Sequence, residues 1–240
     1  MEPKIVTGNE LHFDDSIFIP MKTNSELDVI LSSNGGLSKA TNIMLVGGPG
    51  GGKSTIAGDM LARLGMVGYK CLFVSAEMDE IAWYKYCKRL PLMAKVPVLF
   101  LREHNDLKTI LEQIFNQGWD VIAIDSMSEI IATYKEVYKC SESVAEKWLL
   151  DLQETHKKAN NISKSYTTFI NIQQVGKNGV FVGSNRLKHM TDAMAHIVRK
   201  DSGERTIHFS KNRDCDVDFK IHFTIHKDSV FYSYEQIAIA

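Results

Sequence analysis

The chain has 240 residues, of which 44% are hydrophobic and 24% are charged, as is ordinary for a folded globular protein. Lys and Arg number 28 against 29 Asp and Glu, so the net charge of −1 does not by itself indicate a nucleic-acid partner. No apolar run approaches the roughly 18 residues that span a bilayer, and the N-terminus lacks the apolar core of a signal peptide. We therefore expect a cytoplasmic protein with no membrane contact.

The first part of the chain differs from the rest. Residues 1–40 predict an N-terminal extension, and residues 41–240 predict one main domain. The segment Phe13–Ile19 places four apolar side chains in a polar setting. Ser25 opens a Ser-Glu-Leu-Asp sequence that resembles a capping box, which predicts a short helix near Leu27–Leu31.

Strand-like and helix-like stretches alternate along the main domain. Short apolar runs predict five buried strands at Ile43–Val46, Cys71–Val74, Val98–Leu101, Val121–Ile124 and Thr168–Ile172. Apolar residues at helical spacing predict helices at Ala57–Leu64, Leu107–Phe115 and Val144–Leu152. This alternation predicts an α/β fold with a mainly parallel central sheet and helices on both faces. From about Ala195, shorter alternating segments predict an antiparallel C-terminal extension of the sheet.

A glycine-rich sequence follows the first predicted strand. Gly47-Gly48-Pro49-Gly50-Gly51-Gly52-Lys53-Ser54 matches the pattern G-x-x-x-x-G-K-S/T and precedes a predicted helix. Glycines let successive N–H groups turn toward phosphate oxygens, and the start of the helix adds a partial positive charge. Lys53 is expected to reach the β- and γ-phosphates, and Ser54 to place its hydroxyl on Mg²⁺. The predicted nucleotide-binding residues therefore run from Gly47 to Thr55.

Polar side chains follow three predicted strands at the edge where ligands of parallel sheets bind. Asp125 is expected to hold Mg²⁺ through water, and the alternative is a carboxylate that caps the next element. Glu77 is expected to orient and deprotonate the attacking water, and the alternative is an acid in the first turn of a helix. Gln173-Gln174 puts an amide at this edge that can sense the γ-phosphate, and the alternative is a polar residue leaving the sheet.

These residues resemble the RecA-type ATPase core of the bacterial RadA (Sms) family over about Ile19–Tyr234. The P-loop alone is shared by many families, whereas a Lys-Asn-Arg sequence with a His-Met-x-Asp segment upstream is much more specific. The matching segments are Met21–Asp28, Gly35–Leu37, Phe73–Glu77, Gln174–Gly179, Gly183, Leu187–Met190, Asp192 and Ser210–Arg213, the last being the start of the family's Lys-Asn-Arg-Phe-Gly motif.

The resemblance implies ATP with Mg²⁺ as cofactors and a catalytic site divided between subunits. Lys211 and Arg213 would reach the γ-phosphate of a neighbouring subunit, as arginine fingers in trans do. The match also favours Gln174 over Gln173 as the residue that senses the γ-phosphate. A half-site on each subunit implies a homo-oligomer, expected to be a hexameric ring like those of the RadA and DnaB relatives. The segment Phe13–Ile19 would then pack on the adjacent subunit, and the alternative is packing on the core of its own chain. The site of one subunit would consist of Lys53, Ser54, Asp125 and Glu77.

The resemblance further implies a channel for single-stranded DNA. Lys177, Arg186 and Lys188 would bind DNA phosphates, and Phe181 would stack on a base. The alternative for Phe181 is packing within its loop. Tyr134–Glu142 is expected to be a second channel loop, and the alternative is a solvated linker.

The chain departs from the family in four features. The sequence contains neither the four-cysteine zinc finger nor the Lon-protease-like domain of the family. At two positions its residues differ: Gln174 stands where the family has a histidine, and Asp214-Cys215 stands where it has Phe-Gly. We therefore expect a reduced core such as a bacteriophage encodes, located in the cytoplasm of the bacterial host.

These features predict an ATP-dependent DNA motor that acts on single-stranded DNA in recombination, repair or phage replication, with recombinase or replication proteins as partners. One alternative is a replicative helicase core of the DnaB type, which shares the motor. Another is a KaiC-like ATP-gated assembly or signalling ATPase without DNA, which the balanced net charge and Asp214-Cys215 favour.

Overall fold

The computed structural model describes residues 5–104, 106–175 and 185–236. Within these ranges, nine strands form one sheet in the order β3-β2-β4-β5-β1-β6-β7-β8-β9. The strands are β1 Asn42–Gly47, β2 Cys71–Ser75, β3 Val98–Phe100, β4 Val121–Asp125, β5 Thr168–Gln174, β6 Ala193–Arg199, β7 Arg205–Asn212, β8 Phe219–Ile225 and β9 Val230–Gln236.

Helices cover both faces of the parallel part of the sheet. Apolar side chains of α1, α2 and α3 join one buried cluster, which also includes one face of the C-terminal strands. Side chains of α4 to α7 join a second cluster on the other face. In the described ranges, no helix is long and apolar enough to cross a bilayer. The helices are α1 Asp28–Leu31, α2 Lys53–Met66, α3 Glu80–Arg89, α4 Leu107–Phe115, α5 Met127–Val137, α6 Glu142–Lys157 and α7 Asn185–Met190.

The predicted α/β architecture is confirmed, with one correction to its C-terminal part. Strand β6 begins at Ala193 and pairs in parallel with β1, where Gly47 lies opposite Ile197. The antiparallel extension therefore starts with β7, later than Ala195. The reason is that α7 follows β5, so the next strand starts again at the amino edge of the sheet.

The short helix predicted near Leu27–Leu31 is present as α1, but the predicted capping box is not. The Ser25 hydroxyl accepts from the N–H of Leu27, and the Asp28 carboxylate accepts from the N–H groups of Thr23 and Asn24. Helix α3 was missed because Trp83 is its only buried residue, which leaves no apolar stripe in the sequence.

The expected second channel loop is also corrected. Its first residues, Tyr134–Val137, are the last turn of α5. The Tyr134 ring is buried and stacks on Trp148 of α6, with ring centroids 4.1 Å apart. Of the expected loop, only the residues between Val137 and Glu142 link the two helices.

The N-terminal residues divide into a buried and an exposed part. Met21, Leu27 and Leu37 are buried in the main core, and Met21 bridges to Leu37 through the backbone. Before Met21, residues 5–19 leave large apolar side chains in solvent, including Phe18, which is 67% exposed. We call residues 5–19 the N-terminal apolar segment.

Candidate nucleotide-binding and catalytic site

The glycine-rich loop joins the carboxyl end of β1 to the start of α2. Gly47 is the last residue of β1, and α2 begins at Lys53. A Cβ atom on Gly47 would lie 2.4 Å from the carbonyl oxygen of Ile197, so no larger residue fits there. Gly52 has φ +113°, a conformation that side chains other than glycine rarely adopt. These two glycines fix the turn that directs N–H groups toward an anion.

Lys53 lies inside this loop. Its Nζ atom donates hydrogen bonds to the carbonyl oxygens of Gly47 at 2.8 Å and Gly48 at 3.0 Å. Burial lowers the pKa of Lys53, and the nearby carboxylates of Asp125 and Glu77 oppose that shift. The ammonium group is therefore held where the loop would enclose a phosphate.

Ser54 and Asp125 meet at the same place from different elements. The Ser54 hydroxyl donates a hydrogen bond of 2.6 Å to Oδ2 of Asp125. Burial raises the pKa of Asp125 to about 6, and the Ser54 hydrogen bond opposes that shift. A hydroxyl and a carboxylate are the hard oxygen ligands that Mg²⁺ prefers, so these two residues fit a magnesium nucleotide.

Glu77 lies at the same sheet edge, beyond the end of β2. The Gln174 side-chain amide, at the end of β5, donates a hydrogen bond of 3.4 Å to Oε1 of Glu77. Asp79 caps α3 by accepting from the backbone N–H of Ala82, so this helix start does not use Glu77. The Glu77 side chain is half-buried, and its carboxylate is close enough to Lys53 to oppose the lowering of the Lys53 pKa. Glu77 therefore lies at the P-loop edge, where a group that orients water is needed.

Lys211 and Arg213 lie at the opposite edge of the sheet. The N–H of Arg213 donates to the carbonyl of Asp192, whose own N–H donates to the carbonyl of Asn42, the first residue of β1. The P-loop begins at Gly47, five residues along the same strand. At roughly 3.3 Å per residue, about 16 Å separates the two ends of β1. The structure therefore does not bring these two cations to the nucleotide site of their own chain.

Both cations are held by neighbouring groups. Nζ of Lys211 donates to carbonyls at the C-terminal end of α7, among them that of Lys188 at 3.1 Å and that of Thr191. Burial lowers the pKa of Lys211, with Arg213 contributing in the same direction. Nη1 of Arg213 forms an ion pair of 3.1 Å with Asp192.

Asp192 is a buried carboxylate that joins three separate parts of the chain, a role that the sequence did not indicate. Its carboxylate accepts from the backbone N–H of Asn42 at 2.9 Å, from Lys157 at 2.6 Å and from Arg213. The partners come from β1, α6 and the end of β7. Because they are far apart in the chain, no local spacing could have indicated this cluster.

Sequence comparison finds similarity to curated bacterial proteins, although no family model matches the chain. The DNA repair protein RadA of Campylobacter jejuni is 28% identical over 193 residues, which cover 79% of this chain and 41% of that protein. RadA of Chlamydia pneumoniae is 29% identical over 205 residues, covering 85% of this chain and 42% of that protein. RadA of Chlamydia muridarum is 30% identical over 183 residues, covering 75% and 38%.

This chain is similar to RadA over most of its own length. The resemblance predicted from its motifs is confirmed. The chain spans about two fifths of the length of the RadA proteins it matches.

Solved structures with the same fold are more distant in sequence. The flagellar accessory protein FlaH of Methanocaldococcus jannaschii superposes with a TM-score of 0.65 at 15% identity, covering 93% of this chain and 98% of that one. A KaiC-like protein of Pyrococcus horikoshii gives a TM-score of 0.65 at 17% identity, covering 90% and 99%. Both share the α/β fold with a mainly parallel central sheet that the sequence predicted.

The DNA-contact residues inferred from RadA are described only in part. Arg186 and Lys188 are exposed on α7. Lys177 and Phe181 lie outside the described residues, so their predicted contacts with DNA stay predictions. Lys188 and Lys211 meet at the end of α7, which connects this region to the edge that carries Arg213.

Proposed function

We propose that this chain is a magnesium-dependent ATPase of the RecA type that acts on single-stranded DNA in recombination, repair or phage replication. Its similarity to RadA supports a role in DNA repair or recombination. Its fold and its P-loop residues support ATP hydrolysis.

The observation that carries the proposal is the division of charged groups between two edges of one sheet. Lys53, Asp125 and Glu77 lie at the carboxyl edge, and Lys211 and Arg213 lie at the amino edge. No rotation of a side chain spans the roughly 16 Å length of β1. The two groups meet only when the amino edge of one copy faces the carboxyl edge of another.

The chemistry at the carboxyl edge follows from the positions of the side chains. A bound magnesium ion would be held by Ser54 and Asp125 and would neutralise charge on the phosphates. Lys53 would leave the loop carbonyls to bind phosphate oxygens. Glu77 would accept the proton of the attacking water, while Lys211 and Arg213 of a neighbour stabilise the charge that develops on the γ-phosphate.

Gln174 would connect this site to the DNA-binding region. Its amide contacts Glu77, and the next residue, Val175, packs on the core directly before the segment that carries Lys177. The contact between Gln174 and Glu77 would change when the γ-phosphate leaves. This change would alter the path of the chain where it leaves the end of β5. Two such states of one strand end are sufficient for coupling between ATP and DNA.

The assembly we propose is a head-to-tail homo-oligomer, closed as a hexameric ring. Head-to-tail contacts close into rings when the rotation allows it. The N-terminal apolar segment supports an interface at the amino edge, because Phe18 and Arg213 line the same surface depression. A neighbour docked there would cover side chains such as Phe18 that solvent now surrounds.

The test is ATP hydrolysis at low salt with and without single-stranded DNA, with Lys53→Ala as the blank. Lys108→Ala serves as a matched control, because Lys108 is an exposed lysine on α4, outside the P-loop and outside the depression that Phe18 and Arg213 line. We expect DNA to stimulate the wild type and the control strongly and the blank not at all.

Other outcomes would change the assignment. Hydrolysis that DNA leaves unchanged in the assembled protein would contradict the DNA motor and favour a KaiC-like ATPase. Processive unwinding of forked DNA by the protein alone would favour the DnaB-type helicase core.

A further inference from the structure

Arg199, the last residue of β6, lies beside the P-loop. Because β6 pairs in parallel with β1, with Ile197 opposite Gly47, it continues two residues past the end of β1. A Cβ atom built on Gly50 would lie 3.8 Å from Nη1 of Arg199. The guanidinium group therefore flanks the loop that encloses phosphates.

The order of the strands indicates which part of a nucleotide this guanidinium would meet. Asp125 and Gln174 end β4 and β5, and Glu77 follows β2; these three strands all lie on one side of β1. Arg199 lies on the other side of β1, at the end of β6. Since the γ-phosphate must face Glu77 and Asp125, the nucleoside end of the molecule extends in the opposite direction, toward Arg199.

The charges around Arg199 favour an anion. Across the strands, Arg199 lies directly opposite Arg205 of β7, and like charges in such positions repel. Arg199 is exposed, and no hydrogen bond or ion pair involves its guanidinium within the described ranges. Lys200, the next residue, is paired with Glu204 at 2.7 Å. A phosphate between the P-loop and Arg199 would offset the repulsion.

We infer that Arg199 is a nucleotide-binding residue, whose guanidinium binds the phosphate nearest the nucleoside in the same chain. The inference rests on the proposed binding of ATP at the P-loop and adds the groove between the P-loop and β6 to that site. The ligand class is a nucleoside di- or triphosphate. Because both carry this phosphate, Arg199 contributes equally to the binding of each.

The experiment measures the affinity of the full-length protein for ATP and ADP by competition with a fluorescent ADP analogue, in the presence of Mg²⁺. The variants are Arg199→Ala and Arg199→Gln, with Lys200→Ala as the matched control on the adjacent residue. A hydrogen bond between charged groups contributes enough that its loss lowers affinity about tenfold or more. We expect this loss for both ATP and ADP in the Arg199 variants and a change of less than about twofold in the control.

Three results would overturn the inference. One is unchanged affinity in both Arg199 variants. Another is a loss for ATP alone, which would assign Arg199 to the γ-phosphate. The third is an equal loss in Lys200→Ala, which would indicate only a general effect of surface charge. Thermal unfolding of the nucleotide-free variants checks their folding, and failure of the wild type to bind ATP would contradict the proposed function instead.

Discussion

Nη1 of Arg213 lies 3.1 Å from Oδ1 of Asp192, at the end of β1 opposite the P-loop. Asp192 is itself held by Lys157 and by the backbone of Asn42, so the ion pair orients the Arg213 guanidinium while 62% of that side chain remains exposed. This arrangement suits a cation that acts on a neighbouring molecule.

Replacing the general base provides the first test of the chemistry. Glu77→Gln keeps the size of the side chain but removes its capacity to accept a proton. We expect the rate of ATP hydrolysis to fall about 10²- to 10⁴-fold, with ATP still bound. Glu80→Gln, which changes an exposed acid on α3, is the control. A rate within tenfold of the wild type for Glu77→Gln would exclude this residue as the base.

Asp125 makes the stability of the nucleotide-free protein depend on pH. Its pKa is raised from 3.8 to about 6, so burial of the ionised form costs free energy above pH 6 that is absent below pH 4. We expect Asp125→Asn, which can still accept from Ser54, to be more stable than the wild type by about 2 kcal/mol at pH 8. Thermal unfolding in EDTA measures this difference, which should shrink at pH 5. A difference that does not vary with pH would contradict the prediction.

His156 gives a pH dependence of the opposite sign. Its ring is buried edge-on to Phe115 with centroids 5.5 Å apart, and Nδ1 has no hydrogen-bond partner in the described structure. Burial lowers the pKa of His156, so the unfolded chain takes up the proton first and stability falls as the pH drops below the ordinary histidine value of about 6.5.

The variant His156→Leu should therefore lose less stability than the wild type between pH 7 and pH 5. Chemical denaturation at several pH values measures this slope. His12→Leu, at an exposed position, should keep the slope of the wild type. An unchanged slope in His156→Leu would show that this ring does not govern the acid sensitivity.

Tyr232 of β9 forms a hydrogen bond with α2, the helix that follows the P-loop. Its hydroxyl donates a hydrogen bond of 2.7 Å to Oδ2 of Asp59, which also accepts from Nε of Arg63 at 2.7 Å. We expect Tyr232→Phe to lower the free energy of unfolding by about 1.5–3 kcal/mol, because a hydrogen bond to a buried charged group is lost. Denaturant unfolding tests this, with the exposed Tyr234→Phe as control. Equal stabilities of the two variants would contradict it.

The buried strands were the elements that could be predicted best from the sequence. The apolar runs at β1, β2 and β4 are continuous because helices cover both faces of those strands. The P-loop could be predicted equally well, because the residues that form it are consecutive in the chain. Helix α3 was missed because most of its surface faces solvent, so its sequence lacks an apolar stripe.

Contacts between distant segments were beyond the reach of the sequence pattern. The parallel direction of β6 depends on α7, which returns the chain to the amino edge. Gln174 was chosen over Gln173 by resemblance alone, whereas its distance to Glu77 follows from the neighbouring ends of strands. The contacts of Asp192 and the position of Arg199 beside Gly50 likewise could not be predicted without the register of the sheet.

The most direct test of a site divided between two copies is complementation. Glu77→Gln and Arg213→Ala are each expected to hydrolyse ATP poorly, the first lacking the base and the second lacking the cation in trans. Mixed in equal amounts before assembly, they form some interfaces with Glu77 from one copy and Arg213 from the other. Roughly a quarter of the interfaces should then be intact.

We predict that the mixture regains up to about a quarter of wild-type activity, whereas a mixture of Glu77→Gln with Lys53→Ala, both altered at the P-loop edge, regains none. A mixture no more active than the sum of its parts, under conditions where the wild type assembles and hydrolyses ATP, would contradict the shared site.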